Sequence, residues 1–355
     1  MDFRSDNVAS AAPEIVDAVA EASRSSATPY GGDPWTEGLE PAFSELFETP
    51  VKVFPVVTGT AANSVAVATL TPPWGVIYAG RAAHVENDEC GAPEFMTGGA
   101  KVTGIEERFG KIRPQALAAA LDAAGTGEVH WSQPACLSLT QPTEMGQIYT
   151  PDELAALTTI ARRHDLAVHM DGARFANAVA ASGESPAALT WRAGIDALSF
   201  GATKNGALAA EAIVLFDDAR AGELAFRHKR AGQLLSKMRF VSAQLAAYIQ
   251  DGLWLRLAEQ ANSQAQRLAQ GLEAVPGASL AAPIEANELF VTLPRPVIDG
   301  LARAGVLFYP WPETDPATTT IRLVTRHDTD PGEVDRLVET AHELATSAAQ
   351  PAGGP

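Results

Sequence analysis

Lys204 stands in the stretch Ser199-Phe-Gly-Ala-Thr-Lys-Asn-Gly206, just past the apolar run Ala197, Leu198 and Phe200. A lysine on a small-residue turn beside a buried strand is poorly hydrated, and desolvation disfavours its charged form. Such an amine is a nucleophile towards carbonyl groups. Earlier in the chain, His169-Met-Asp-Gly-Ala-Arg174 puts a carboxylate, Asp171, at the end of the strand-like run 166–170. Thr58-Gly59-Thr60-Ala61 joins another such run, 53–58, to a helical one, and free amides at a helix N-terminus form a ready anion site. His84 follows a fourth run, 76–79, in a polar loop with Glu86, Asp88 and Glu89.

The elements that must position these groups alternate. Strand-like runs at 53–58, 76–79, 101–105, 135–139, 166–170 and 212–216 are separated by helical patterns, among them 114–124 and the capped start Thr150-Pro-Asp-Glu153. Strand–helix alternation predicts a mainly parallel sheet with right-handed crossovers and helices on both faces. Ligands of such sheets bind beyond the carboxyl ends of the strands, so Gly59-Thr60, His84, Asp171 and Lys204 are expected on one edge. After a basic stretch, 227–239, a helix is expected over 240–273. A smaller α+β region follows, with strands at 288–293, 304–308 and 319–324 and a last helix opening at Asp330-Pro-Gly-Glu333. The expected division is a large domain at 1–250, a small one at 251–346 and a frayed tail at 347–355. Arg322, inside the 319–324 strand, needs a partner or a ligand, because burying a lone charge is costly.

The chain has 355 residues, 46% hydrophobic and 19% charged, with a net charge of −17. That balance excludes nucleic acid and an anionic membrane as expected partners. Residues 53–80 carry no charge, but Pro55, Pro72 and Pro73 interrupt them, so a strand, a helix and a loop are expected rather than a membrane span. Cys90 and Cys136 match no metal-ligand spacing and read as reduced thiols, consistent with a cytoplasmic location; the N-terminus has no apolar signal core. The carboxylates at 86–89 read as solvated, and no metal site is expected.

Taken together, a carbonyl-trapping lysine, an upstream carboxylate, an anion cradle and a ring-stacking histidine are the set that pyridoxal 5′-phosphate requires. Lys204 would carry it as a Schiff base, Asp171 would pair with its ring nitrogen, and Gly59 and Thr60 would hold its phosphate.

At this point the chain resembles the pyridoxal-phosphate-dependent threonine aldolases of fold type I, nearest to the low-specificity L-threonine and phenylserine aldolase branch. The matching stretches are Arg4-Ser-Asp-Asn7, Tyr30-Gly-Gly-Asp33, Thr58-Gly-Thr-Ala-Ala-Asn63, Ala83-His-Val-Glu86, His169-Met-Asp-Gly-Ala-Arg174 and Ser199–Gly206. The resemblance implies an α/β fold with a mainly parallel seven-stranded sheet and a smaller C-terminal α+β domain. It implies reversible retro-aldol cleavage of L-threonine, L-allo-threonine and related β-hydroxy-α-amino acids to glycine and an aldehyde.

By the same resemblance, His84 stacks on the cofactor, and Ser5, Tyr30, Arg174 and Arg322 meet the substrate, with Arg174 also near the cofactor. His130 matches a histidine near the β-hydroxyl. The base for that hydroxyl is His84, with His130 second. A homotetramer with sites between subunits is implied, in which Lys229 or Arg239 of one subunit reaches the phosphate of another. One departure is the turn Leu139-Thr-Gln-Pro-Thr-Glu144, where relatives carry a Glu-Asn-Thr-like sequence. The rival expectations are a β-eliminating lyase or aminotransferase on the same scaffold, and a catalytically inactive binding protein of that fold.

Overall fold

The computed structural model describes residues 1–311 and 315–349. Seven strands form the main sheet: β1 (Lys52–Val56), β2 (Gly75–Gly80), β3 (Lys101–Ile105), β4 (Gln133–Thr140), β5 (Ala167–Gly172), β6 (Ala197–Gly201) and β7 (Glu211–Leu215). Their order across the sheet is β1-β7-β6-β5-β4-β2-β3. β2, β5, β6 and β7 are buried along their whole length, as expected where helices cover both faces.

All neighbours pair in parallel except β7, which is antiparallel to both β6 and β1. The cause is the connection. A mainly parallel sheet was expected, and the exception follows from length: only residues 202–210 join β6 to β7, too few for a crossover helix, so the chain must reverse. Lys204 lies in that reversal, on a single turn of 3-10 helix, Thr203–Asn205.

Aromatic packing supports the strand that delivers it. Phe200 meets Phe43 edge-on at 5.1 Å and Tyr248 at 6.0 Å. The expected helix start at Thr150 is present: its hydroxyl accepts the Glu153 N–H at 3.2 Å, and Glu153 accepts the Thr150 N–H at 2.8 Å.

A second sheet joins β8 (Ser279–Leu280), β9 (Glu288–Pro294), β10 (Tyr309–Pro310) and β11 (Thr318–Val324) in the order β8-β9-β11-β10, all antiparallel. The strand expected at 304–308 is displaced: only Leu307 makes an isolated parallel bridge, to Asp2, and β10 begins at Tyr309. The N-terminal segment, placed with the large domain from sequence, buries Phe3 in the core beneath this second sheet.

The single helix expected over 240–273 is two helices, Arg239–Ile249 and Leu253–Glu273. Asp251 and Gly252 take left-handed backbone angles, φ +51° and +68°, which end one helix and begin the next. The second helix packs Trp254 and Ala258 into the core of the main sheet and Leu268 and Leu272 into the other, tying the two together. The last helix, Pro331–Ala349, continues past the expected start of the tail at 347; residues 350–355 lie outside those described. No helix among the described residues is long and apolar enough to cross a membrane.

Candidate active site

The carboxyl ends of the strands converge because their registers align there. Thr140 pairs with Asp171, Asp171 with Ser199, Gly201 with Glu211 and Glu211 with Val56. Beyond this row lies a cavity of about 590 Å³, within the range of sites that hold cofactors. Eight residues singled out from the sequence line it: Ser5, Gly59, Thr60, His84, Asp171, Arg174, Lys204 and Arg322.

Lys204 is partly buried and held by its neighbours. Asn205 donates from Nδ2 to the Tyr248 hydroxyl at 2.7 Å and to the Trp254 carbonyl at 2.9 Å. Gly206 has φ +104°, and a Cβ there would lie 3.0 Å from Leu257 and 3.1 Å from Ala12. Only glycine meets both demands.

Asp171 is buried, and its two oxygens are taken up separately: Oδ1 accepts the Ala173 N–H at 2.9 Å and Oδ2 accepts Asn63 Nδ2 at 2.8 Å. The same Asn63 nitrogen donates to Glu89 Oε1 at 2.8 Å, and that oxygen lies 2.8 Å from His84 Nδ1. His84, Glu89, Asn63 and Asp171 therefore form one hydrogen-bonded chain, buried except at His84. Its hydrogen bond to Glu89 raises the His84 pKa above the usual imidazole value, outweighing burial. Burial raises the Glu89 carboxyl in turn. Below, His169 ties the sheet together, with Ser138 and Ser199 each 2.9 Å from its ring nitrogens; burial lowers its pKa to about 4, so it is a neutral strut.

Facing Lys204, the helix Gly59–Leu70 presents its N-terminus, with Thr58 capping the Ala61 N–H at 3.1 Å. A Cβ at Gly59 would meet nothing within 4 Å, so the space in front of these amides is open to an anion. On the opposite wall, Arg174 grips Asp6 through Nε (2.6 Å) and Nη2 (3.1 Å) and lies 3.3 Å from Glu288. Burial pulls the guanidinium down, but Asp6 and Glu288 outweigh it and hold the pKa above its ordinary value. Arg322 donates to the Arg4 carbonyl at 3.2 Å and lies 3.7 Å from Glu288, while its Nε is buried without a partner. The arginine read from sequence as needing a partner or a ligand thus has one donor to spare.

Four expected site residues do not line this cavity. His130 is exposed on a turn before β4, whose length of about 25 Å separates it from Thr140 at the cavity. It stands at the opposite edge of the sheet, because catalytic groups here follow strand ends and His130 precedes a strand start. Tyr30 is exposed, with Lys229 Nζ 4.6 Å above its ring, and Arg239 donates to the Ala22 carbonyl at 3.0 Å.

Sequence reasoning missed three acids that line this cavity, the half-buried Glu144 and the buried Glu211 and Glu288, and a fourth, the buried Asp6, that pairs with Arg174. Burial drives both Glu144 and Glu211 up to about 7. Glu211 was legible as a charge at the head of an apolar strand, and Glu288 as the same anomaly before Leu289-Phe290-Val291. Among the described residues, no group of three or more His, Cys, Asp or Glu side chains is disposed to hold a metal ion.

The sequence pattern of the Beta-eliminating lyase family matches residues 2–294. The low specificity L-threonine aldolase of Pseudomonas aeruginosa is 42% identical over 342 residues, 96% of each chain. A protein of the same name from a Pseudomonas species is 42% identical over 307 residues, 86% of this chain and 88% of its own. Among solved structures, the threonine aldolase of Leishmania major superposes with a TM-score of 0.91 at 28% identity, over 97% of this chain and 99% of that one. Serine palmitoyltransferase of Sphingomonas wittichii, 14% identical with a TM-score of 0.73 over 98% of this chain and 87% of its own, shares the fold, which is that of fold type I.

Proposed function

The chain belongs to the beta-eliminating lyase family and to its threonine aldolases, and on that premise we propose that it cleaves L-threonine, L-allo-threonine and related β-hydroxy-α-amino acids reversibly to glycine and an aldehyde, with pyridoxal 5′-phosphate tethered to Lys204. The observation that carries the reading is the convergence of Lys204, Asp171 and the Gly59-Thr60 amides on one cavity, opposite two arginines.

The residues fit the cofactor. Asp171, fixed by Ala173 and Asn63, would hold the protonated ring nitrogen. The open N-terminus at Gly59 and Thr60 would hold the phosphate, and His84 would cover one face of the ring. When bound, pyridoxal phosphate supplies an electron sink for the bond broken at Cα. Arg322, with its unused Nε, and Arg174 would hold the substrate carboxylate beside Ser5. Their ion pairs with Asp6 and Glu288 keep both guanidiniums aimed inward, and a clamped carboxylate decides which bond at Cα is presented for cleavage.

We place the boundary between a 1–250 unit and a 251–346 unit in the break between the two long helices. We further propose a cytoplasmic homotetramer in which the partner subunit supplies a basic side chain to the phosphate. Lys229 and Arg239 stand outside their own cavity, as such a role requires. Tyr30 belongs to the same rim through its contact with Lys229.

The test is to incubate the cofactor-loaded protein with threonine, allo-threonine and phenylserine and to measure glycine together with the matching aldehyde. Ammonia and a keto acid in their place would make it a β-eliminating lyase, and no product would leave the fold without this chemistry.

A further inference from the structure

Cleavage of a β-hydroxy-amino acid needs a group that accepts the hydroxyl proton, and the two histidines first considered are poorly placed for it. His130 is at the far edge of the sheet. His84 has its Nδ1 bound to Glu89, and that hydrogen bond raises its pKa and so favours the protonated ring. A protonated imidazole donates and does not accept.

The remaining candidate on the same wall is Glu144. It lies on the turn after β4 and lines the cavity. Oε1 accepts the Thr140 hydroxyl at 2.8 Å and the backbone N–H of His84 at 3.0 Å, and among the described residues no other residue's donor is seen on Oε2, which a ligand in the cavity can reach. The carboxylate is thereby locked to the residue that covers the cofactor site. We propose that Glu144 is the catalytic base that takes the β-hydroxyl proton in the retro-aldol step; this deepens the aldolase reading and rests on it.

Asp171 from β5 and Tyr149 beyond its own turn act on Glu144 electrostatically, His84 from the loop after β2 donates its N–H to it, and Lys204, Arg174, Arg322, Asp88, Glu211 and Glu288 share its cavity. Burial is the largest influence on it and Asp171 adds to it, against the hydrogen bonds from Thr140, its own backbone N–H and His84. A carboxyl brought to about 7 is half ionised at neutral pH and returns a proton as readily as it takes one.

The step balances. The substrate O–H bond breaks and its proton goes to Oε2, the oxygen electron pair closes the aldehyde C=O, and the Cα–Cβ pair remains with Cα. Glu144 then gives its proton to water and water supplies one to Cα, so that glycine and aldehyde sum to the substrate and Glu144 has no part in the proton transfer at Cα.

The experiment compares the wild-type and Glu144→Gln holoenzymes in two assays. The first is glycine formation from threonine. The second is exchange of a glycine α-proton for deuterium in D2O, followed by NMR, which uses the same cofactor but has no hydroxyl proton to move. The amide oxygen that the substitution introduces still accepts from His84 and Thr140, so the fold has no reason to fail.

The expected result is a kcat/KM for threonine lower by about 100-fold or more, within the range for a lost general base, with glycine exchange unchanged. In the wild type, kcat/KM falls below pH 7 as Glu144 gains its proton, and the variant loses this limb. Equal loss in both assays would make Glu144 a prop for His84 and overturn the proposal, as would no loss in either. Should the glutamine protein fail to bind cofactor, Glu144→Asp replaces it, with the same two outcomes decisive. A wild-type enzyme that exchanges glycine protons but releases no glycine from threonine refutes the aldolase reading instead.

Discussion

Glu211 gives a prediction that needs no cofactor. It opens β7 between Val56 and Gly201, is 6% exposed, and accepts the Ala202 N–H at 3.2 Å through Oε2. Burial raises its pKa from 4.5 to about 7, against the lowering effects of Thr203, Lys204 and Ala202. The folded state thus favours the neutral acid. The stabilisation is complete below pH 4.5, where the unfolded chain is protonated too, and is lost as pH rises to about 7. A shift of about 2.5 units at 1.36 kcal/mol each corresponds to about 3 kcal/mol. Glu211→Gln keeps the acceptor for Ala202 and removes the titration. Relative to wild type, the variant should show little difference near pH 4.5 and a gain rising to about 3 kcal/mol at pH 8. With an unfolding entropy of about 2.1 cal/mol/K per residue, that gain is a rise in Tm of about 4 °C. Scanning calorimetry of the cofactor-free protein at fixed concentration from pH 4.5 to 8 reads it. A difference that stays constant across that range, or a less stable glutamine protein at pH 8, refutes the assignment of a buried neutral acid.

Further outcomes follow from the same geometry. Asn63→Ala removes the donor shared by Glu89 and Asp171 and leaves two buried carboxylates facing each other, which should cost about 1–3 kcal/mol at pH 8. Because burial raises the Glu89 pKa, the loss should shrink towards pH 5; denaturant unfolding at the two pH values checks this. Arg322→Lys keeps the charge but loses the planar fork and the free Nε, so KM for threonine should rise about 10-fold with a smaller change in kcat; steady-state kinetics reads the split.

What the sequence displays is local, and what it hides is long-range. Strand–helix alternation with short strand ends places Asp171, Lys204 and Gly59-Thr60 on one edge, because each sits within a few residues of a strand terminus whose direction the alternation dictates. The reversal of β7 was readable in principle from the short run between Phe200 and Ala212, yet it was passed over because the apolar pattern of 212–216 resembles a parallel strand. His130 entered by resemblance alone, and its place before a strand start puts it at the opposite edge of its own sheet. The acids escaped for another reason. Asp6 and Glu288 both meet Arg174, across separations that no local pattern reports. Their burial is visible only once two sheets and the N-terminal segment close over the same space.

The measurement that bears most directly on the account is covalent trapping. Adding pyridoxal phosphate to the protein, reducing with borohydride and mapping peptides by mass spectrometry should find the pyridoxyl group on Lys204 alone, and Lys204→Ala should abolish both the label and the yellow absorption. Labelling spread over surface lysines, or a colourless protein whose Lys204 peptide is unmodified, would contradict it.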